Sequence, residues 1–423
     1  MRPQRAIGLF VAVLAGTLAS VGAQRSDAFP ESRDHAAIGY TAGPLANRVE
    51  TLNAELVSGA RTLAFDPASG YLLAALEALG LSVESQVLVF SDTSLQADRI
   101  DVGNPRALYF DDSVYVGWVR GADTLEVAVH DARQGAVFYQ LPQAAGAALR
   151  FERDEECLTC HLTWDTFAVP GLLMHSTAPR ASEMEYATGF PTDHRSPFVQ
   201  RWGGWFVTGD HGGAAHMANV PVAPGDLGRL ALDDPRAVLE TVEGLFDARG
   251  FPSLHSDVVA LLVLAHQAQA SNLITRVGWE ARLAEANGAN VPTERVRAAA
   301  RDMVDYLLFA DEAPLPGPVT GSSRFAEAFG ADAPRDARGR SLRDLDLARR
   351  LFTYRCSYMI YTPAFEALPA TAHEAVYARL WAVLSGAADD SRAALPADER
   401  QAIVEILRDT RDGLPAYFFE PIG

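Results

Sequence analysis

The sequence predicts an α+β protein in which an antiparallel, β-rich N-terminal part leads through a loop-rich region into a mainly α-helical C-terminal half. Two periodicities predict this class. Between residues 86 and 151, apolar and polar residues alternate over short segments, which is the pattern of half-buried strands. From residue 256 onward, apolar residues recur at three- and four-residue intervals, as in helices. Because 48% of the residues are hydrophobic, the chain can bury a sizeable core.

The beginning of the chain predicts export. Arg2 and Arg5 form a positive region, residues 7–21 are uncharged and mostly apolar, and residues 21–23 (Val, Gly, Ala) resemble a cleavage site. This apolar run is shorter than a typical membrane-spanning helix and is interrupted by Gly16, Thr17 and Ser20. We therefore expect residues 1–23 to be a cleaved signal peptide. The mature protein is then periplasmic or secreted in a bacterium, with no membrane span; an uncleaved N-terminal anchor is the alternative.

The predicted strands are rich in Val, Tyr, Phe and Trp and are separated by turns that contain Asp or Gly. In one of them, Leu125, Val127 and Val129 occupy alternate positions. Glu126 and Ala128 lie between them, so one face is predicted to be buried and the other wet, as in an antiparallel meander. The predicted strands are 87–90, 107–110, 113–119, 124–130, 136–141 and 147–151.

The longest predicted helix begins at Ser256 and Asp257, which suit an N-cap, and ends at Gly288. The predicted helices are 47–58, 71–79, 235–249, 256–287, 291–311, 342–352, 372–385 and 397–410. With the strands, they divide the chain into a signal peptide (1–23), a β-rich segment with leading helices (24–150), a loop-rich site region (151–230) and a helical region (231–423).

The chemistry of the chain is concentrated in Cys157-Leu158-Thr159-Cys160-His161. Two cysteines separated by two residues and followed at once by histidine form the attachment signature of a c-type haem. The two thiols add across the vinyl groups of the porphyrin, and the histidine ligates the iron. We therefore predict one covalent haem c, with Cys157 and Cys160 as thioether attachments and His161 as the proximal metal ligand.

Two other interpretations of the cysteine pair remain open. A CxxC pair can form a redox disulfide or contribute half of a zinc site. A redox disulfide of the thioredoxin type is expected in a βαβ context, which is not evident here. A zinc site needs a second pair of cysteine or histidine ligands, and the only remaining cysteine, Cys356, stands alone. Because Cys356 lies between apolar and aromatic residues, it is predicted to be a buried free thiol.

The loop-rich region supplies candidates for the second axial ligand, since histidine and methionine are the usual ligands of haem c. His216 ranks first, because His216-Met217 offers both atom types from one glycine-flanked loop. Met217, His211 and Met174 follow. Met174 is so close to the motif that it could reach the iron only after a tight reversal. An iron without a sixth protein ligand is the remaining alternative.

Arg195, Arg201 and Trp202 are predicted to contact the cofactor. Haem carries two propionates, and arginine is suited to bidentate binding of carboxylates. Tryptophan can line the edge of the ring and donate one hydrogen bond. Alternatively, these side chains only hold together a long loop with little regular structure.

The charge of the chain restricts its partners. The formal net charge is −18, and the chain contains no lysine, so that every one of its 36 basic side chains is an arginine. An acidic surface argues against nucleic acid and anionic membranes as partners. It suits a cationic redox partner protein, although it is also compatible with a role in solubility alone.

The motif Cys157–His161 resembles the haem-binding motif of the cytochrome c superfamily. Three further phrases resemble large exported bacterial mono-haem proteins known only as cytochrome c domain proteins, whose reaction is unassigned. The phrases are Ser85–Phe90, Arg201–Trp205 and Cys356–Tyr358. The chain departs from the small electron carriers of the superfamily, because a β-rich segment precedes the motif, so neither their fold nor their methionine ligand is carried over.

Three functions are compatible with one covalent haem. Electron transfer is favoured by the frequency of CxxCH among electron carriers and requires only a haem edge near the surface and a six-coordinate iron. A haem enzyme or gas-binding protein, with an open or displaceable position at the iron, is favoured by the length of the chain; polar residues such as His194, His211 and Arg201 would then act on bound peroxide or another small oxidant. The third function is that of a binding module, in which the haem has no catalytic role and only stabilises the fold.

Overall fold

The computed structural model describes residues 33–91, 93–146, 149–177, 189–219, 238–388 and 390–422. Within them, an antiparallel sheet occupies the N-terminal half and helices occupy most of the C-terminal half, which confirms the predicted α+β class. The predicted signal peptide, residues 1–23, lies outside the described residues.

Eleven strands occur in the described residues. They are β1 Val87–Val89, β2 Arg106–Phe110, β3 Val114–Trp118, β4 Thr124–Asp131, β5 Gly135–Pro142, β6 Glu152–Arg153, β7 His175–Ser176, β8 Phe190–Pro191, β9 Trp205–Phe206, β10 Gly209–His211 and β11 Val319–Gly321. Seven of them form one sheet in the order β6-β5-β4-β3-β2-β1-β9, and β7–β8 and β10–β11 form two small pairs. The main sheet is therefore a meander that β9, from beyond the cysteine motif, extends at one edge.

The two faces of the sheet differ as predicted. In β4, Leu125, Val127 and Val129 are at most 2% exposed, whereas Glu126 and Ala128 between them are partly exposed. The buried face packs on two helices, α1 Arg48–Ser58 and α2 Leu72–Leu79. Apolar burial on this face fixes the register, because a shift by one residue would turn Glu126 into the core.

The remaining helices are α3 Leu158–His161, α4 Val258–Ala286, α5 Glu294–Leu307, α6 Phe325–Ala331, α7 Pro363–Glu366, α8 Ala370–Leu384 and α9 Ala397–Thr410. The predicted cap of the longest helix is confirmed, because the side chain of Asp257 accepts hydrogen bonds from the amides of Val259 (2.7 Å) and Ala260 (3.2 Å).

Helix α4 lies at the centre of the molecule and is buried on nearly all sides. It packs on α5 and α8 and also contacts β5 and β11, so it joins the sheet to the helical half. Within the described residues it is the one helix long and apolar enough to cross a membrane, with a mean hydropathy of 1.4 in its most apolar window. Of that window, 94% is buried inside the protein, which is also the pattern of a core helix.

The predicted helix at 342–352 is wrong. The chain there folds back on itself: the amide of Asp346 donates to the carbonyl of Leu351 (3.1 Å), and the amide of Leu347 donates to the carbonyl of Arg350 (2.9 Å). These bonds run forward along the chain, whereas each helical amide bonds to the carbonyl four residues before it. Leu347, at the start of the reversal, takes up a left-handed conformation with φ of 55°.

The predicted helix at 235–249 is also wrong over its described part, residues 238–249. The carbonyl of Leu239 accepts a hydrogen bond from the amide of Gly209 (2.8 Å), so this segment pairs with β10 instead of with itself. In place of the strand predicted at 147–151, of which 147 and 148 lie outside the described residues, the chain forms β6 at 152–153.

Candidate cofactor site

One turn of helix presents the cysteine motif. In α3, the carbonyl of Cys157 accepts hydrogen bonds from the amides of Cys160 (3.2 Å) and His161 (3.0 Å). Residues three apart in such a turn lie on the same side of the helix. Both thiols and the adjoining imidazole therefore line one cavity.

The two thiols are free and partly buried. Burial raises the pKa of Cys157 to about 12, and the negative charges of Asp154 and Glu126 contribute in the same direction. Redox and metal-binding cysteines react as thiolates and need a lowered pKa. This environment keeps the thiol of Cys157 protonated and so gives no support to the redox and zinc interpretations. In addition, no group of three or more His, Cys, Asp or Glu side chains that could hold a metal ion occurs in the described residues.

The imidazole of His161 is held in one tautomer. Its Nδ1 lies 2.8 Å from the carbonyl oxygen of Gly171, and its ring packs 4.7 Å from that of Phe138. Burial lowers the pKa of His161 to about 4, so the ring is neutral near pH 7. Because a carbonyl only accepts hydrogen bonds, Nδ1 carries the proton and Nε2 keeps its lone pair. A metal-binding histidine usually donates the N–H of its other ring nitrogen to a carbonyl or carboxylate in this way.

The cavity beside the motif has a volume of about 390 Å³ and is lined mainly by apolar side chains. This volume is within the range of small-molecule and cofactor sites. Its floor is the partly exposed face of the sheet, the face predicted to be wet. Cross-strand pairing aligns Leu108, Gly117 and Glu126 in one row. The next row contains Tyr115, Ala128 and Phe138.

Small residues give this floor its depth. Gly117 and Ala128 lie on adjacent strands and project little or no side chain into the cavity. A Cβ atom on Gly117 would lie 2.6 Å from a guanidinium nitrogen of Arg106, so this glycine lets the arginine lie close against the sheet. The resulting floor suits a flat ligand.

The opposite wall is formed by residues 172–174, and Asn272 of α4 holds this segment in place. The amide of Leu172 donates to Asn272 Oδ1 (2.8 Å), and Asn272 Nδ2 donates to the carbonyl of Leu172 (2.8 Å). The preceding Gly171 donates to the carbonyl of His161 (2.9 Å). A Cβ atom on Gly171 would lie 2.4 Å from Asn272 Oδ1, so glycine is required for this close approach. The chain thus makes the tight reversal that Met174 needs to face the motif.

Of the proposed second ligands, Met174 lines the cavity, whereas His211, His216 and Met217 do not. His216 is 3% exposed, and its Nδ1 accepts a hydrogen bond from the amide of Ala218 (3.1 Å). Its ring lies 4.4 Å from that of His211, and burial, with the neighbouring His211, lowers its pKa to about 3. The residue ranked first from the sequence thus lies in a separate histidine pair.

Arg195, Arg201 and Trp202 do not line this cavity. Arg201 is buried, and its guanidinium donates to the carbonyls of Ser196 and His194, both at 2.8 Å. Trp202 is 1% exposed and packs edge-on against a phenylalanine of the same loop. Arg195 forms a bidentate ion pair with Asp193. These contacts favour the alternative in which all three hold the loop together.

Sequence reasoning missed the charged pair of the cavity. Arg106 is the one basic side chain among the described residues that line it, and its Nη2 lies 2.5 Å from Glu126 Oε2. Both side chains are shielded, at 22% and 14% exposure. The sequence contained a partial signal for this ion pair, because Glu126 lies on the predicted wet face of its strand and Arg106 directly precedes a predicted strand. The pairing itself depends on which strands are neighbours, which the sequence pattern does not specify.

The geometry brings together Cys157, Cys160, His161 and Met174 on the walls of one cavity with Arg106 at its floor. Comparison of the chain with protein-family models, with curated protein sequences and with solved structures finds no match in any of the three.

Proposed function

We propose that the protein is an exported c-type cytochrome that carries one covalent haem in this cavity and transfers electrons. The observation that carries the proposal is the state of His161. Its Nδ1 is bonded to a backbone carbonyl, no hydrogen bond to Nε2 is found within the described part of the chain, and the ring borders a mainly apolar cavity that both cysteines also line. Such an imidazole is prepared to ligate a metal through Nε2.

The residues present fit a haem c in type and arrangement. Cys157 and Cys160 would hold it by thioether bonds, and His161 would be the proximal ligand. The side chains of Leu108, Phe138 and Leu172 provide an apolar environment for the ring. A bound haem c supplies a one-electron iron couple, and the apolar lining limits access of water to it.

Met174 is the candidate for the sixth ligand. It is 3% exposed and borders the same cavity as His161. Its backbone is fixed, because its carbonyl accepts a hydrogen bond from the amide of Thr192 (2.8 Å). Methionine ligation raises the potential relative to histidine, and a rigid pair of ligands favours electron transfer, which requires little change of geometry.

Arg106 is the candidate partner of a propionate. Bidentate binding of carboxylates is the preferred interaction of a guanidinium group, and Arg106 already binds the carboxylate of Glu126 in the cavity. Arg106 would then hold a propionate of the bound haem while it remains paired with Glu126.

Electron transfer fits the cavity better than oxidant chemistry does. The side chains expected to act on a bound oxidant, those of His194, His211 and Arg201, do not line it. His194 is instead bonded to His266 (Nδ1 to Nδ1, 2.9 Å) in the helical half. A cationic redox protein is the partner that the net charge of −18 favours, and the signal-like residues 1–23 favour the periplasm or the exterior as the location.

The test is to produce the chain in a bacterial host competent for cytochrome c maturation and to measure its intact mass and its spectra. We expect the mass of one haem in addition to the mature polypeptide, and a near-infrared band typical of methionine-ligated ferric iron. Cys157→Ser and Cys160→Ser should each lose the doubly attached cofactor. Cys356→Ser is the matched control, because Cys356 is buried away from the cavity and should leave attachment unchanged.

A colourless wild-type protein with the mass of the polypeptide alone would contradict the proposal. Rapid binding of cyanide at low concentration, together with a high-spin ferric spectrum, would instead favour the enzyme alternative. A Cys157→Ser variant that folds without haem and still binds a partner would favour the alternative of a binding module.

A further inference from the structure

A second cavity, which we call the side cleft, lies next to the proposed cofactor cavity. It has a volume of about 570 Å³, in the range of small-molecule sites. The two cavities share Leu172, Leu173, Met174 and Ala268, so one layer of side chains separates them. A molecule in the side cleft would therefore lie directly behind Met174.

The side cleft is lined by both apolar and charged side chains. Its apolar lining includes Leu273, the shared residues and the aromatic rings of Phe167 and Tyr306. Six charged side chains also line it: Asp165, Asp193, Asp302, Asp305, Arg195 and Arg392.

Both arginines of the side cleft are already neutralised. Arg195 binds Asp193 in a bidentate ion pair, with Nε 3.2 Å from Oδ1 and Nη2 2.5 Å from Oδ2. Arg392 forms an ion pair with Asp311, outside the lining. An anionic ligand would have to displace one of these carboxylates, so the cleft does not favour anions.

The carboxylates of the side cleft are only partly neutralised. Asp305 lies 3.4 Å from Arg379. Asp165 and Asp302 are exposed, and no ion pair of either is found in the described residues. Four carboxylates and two guanidinium groups line the side cleft, so carboxylates are in excess.

We infer that the side cleft binds a small organic cation, with its ammonium group near Asp302 and Asp305 and its apolar part against Leu273 and the shared wall. Three observations favour this class of ligand: the size of the cavity, its apolar lining, and the two carboxylates. Asp302 has no ion pair among the described residues, and Asp305 has one long ion pair, at 3.4 Å from Arg379. Binding of this kind does not require the haem, because the groups that recognise the ligand all belong to the side cleft. The inference therefore stands apart from the proposed function.

The test is isothermal titration calorimetry of the full mature protein with benzylamine as the probe. Benzyl alcohol is the uncharged analogue and benzoate the anionic one. We expect benzylamine to bind at least about tenfold more tightly than either, and its affinity to fall as salt screens the carboxylates. Equal binding of the three probes, or no binding of benzylamine at millimolar concentration, would overturn the inference.

Variants locate the site. Asp302→Asn should weaken benzylamine binding about threefold or more, as expected for loss of one partly exposed charge interaction. Asp98→Asn, the matched change at an exposed aspartate that does not line the cleft, should have no effect. Arg392→Gln removes a positive charge and should tighten binding. An Asp302→Asn variant that binds benzylamine as tightly as the wild type refutes the inference.

A steric variant tests the cavity itself. Gln269 lies on α4, lines the side cleft and is partly exposed, so Gln269→Trp can fill the space without altering the core. We expect this variant to melt at nearly the wild-type temperature and to lose benzylamine binding. Retained binding in the folded variant would place the probe elsewhere on the protein and overturn the inference.

Discussion

The segment 172–174, which forms one wall of both cavities, depends on a single side chain of α4. Asn272 is 1% exposed, and its amide makes two hydrogen bonds of 2.8 Å to the backbone of Leu172. Asn272→Ala removes both and leaves one buried N–H and one buried C=O without partners. Each such group costs about 1–3 kcal/mol. Relaxation and entry of water reduce the sum, so we expect the free energy of unfolding to fall by about 3 kcal/mol.

Urea denaturation followed by circular dichroism measures this loss. The matched control is Gln269→Ala, one turn away. Gln269 Oε1 accepts a hydrogen bond from Asn272 Nδ2 (2.9 Å) and is partly exposed, so its loss should cost less than about 1 kcal/mol. Under the proposed function, Asn272→Ala should also weaken the near-infrared band of methionine ligation, because Met174 is two residues from the released backbone.

The reasoning is refuted if Asn272→Ala costs no more than Gln269→Ala. A large loss of stability with an unchanged near-infrared band would have a different meaning. The hydrogen bonds of Asn272 to Leu172 would then stabilise the fold without positioning Met174, which other contacts would hold in place.

Three further outcomes follow from the same structure. Gly171→Ala should destabilise the fold by about 1–3 kcal/mol in urea denaturation, because its Cβ would lie 2.4 Å from Asn272 Oδ1; a neutral effect would contradict the close approach. Arg106→Ala should cost about 2 kcal/mol by leaving Glu126 shielded and unpaired; the Arg106→Ala/Glu126→Ala double variant should recover part of it, and full additivity would count against the pair. Because burial holds the pKa of His216 at about 3, below its ordinary value, the unfolded chain takes up a proton as the pH falls below about 6.5, whereas the native chain does not. Stability should therefore decrease between pH 7 and pH 5, and His216→Asn should remove about 1–2 kcal/mol of that decrease in urea titrations at the two pH values; an identical pH dependence in the variant would contradict the assignment.

Local signals in the sequence predict much of the fold. The alternation in β4 and the cap at Asp257 predict the strand and the start of α4, because each depends on residues close together in the chain. The helix predicted at 342–352 fails because the segment folds back on itself, with the amide of Asp346 bonded to the carbonyl of Leu351 and Leu347 left-handed. Its apolar spacing is helical, and spacing alone does not reveal the reversal.

The candidate site was predictable only in part. The motif singles out Cys157, Cys160 and His161, and these residues line one cavity because they lie in a single helical turn. Its surroundings depend on contacts between distant residues. Met174 faces the motif because Asn272, about a hundred residues further on, holds the intervening backbone. The adjacent Met217 and the nearby glycines favour His216 as an axial ligand, yet its ring packs against that of His211. Neither arrangement leaves a signal in the local sequence.

The position of the two cysteines has a consequence for biogenesis. They border a cavity whose floor comes from strands that precede them and whose walls include Leu264 and Ala268 of α4, which is synthesised later. Once that helix docks, elements from both halves of the chain border the space. Under the proposed function, a ring attached to the thiols would therefore contact residues synthesised before and after its attachment site, and folding of the helical half would add the later contacts.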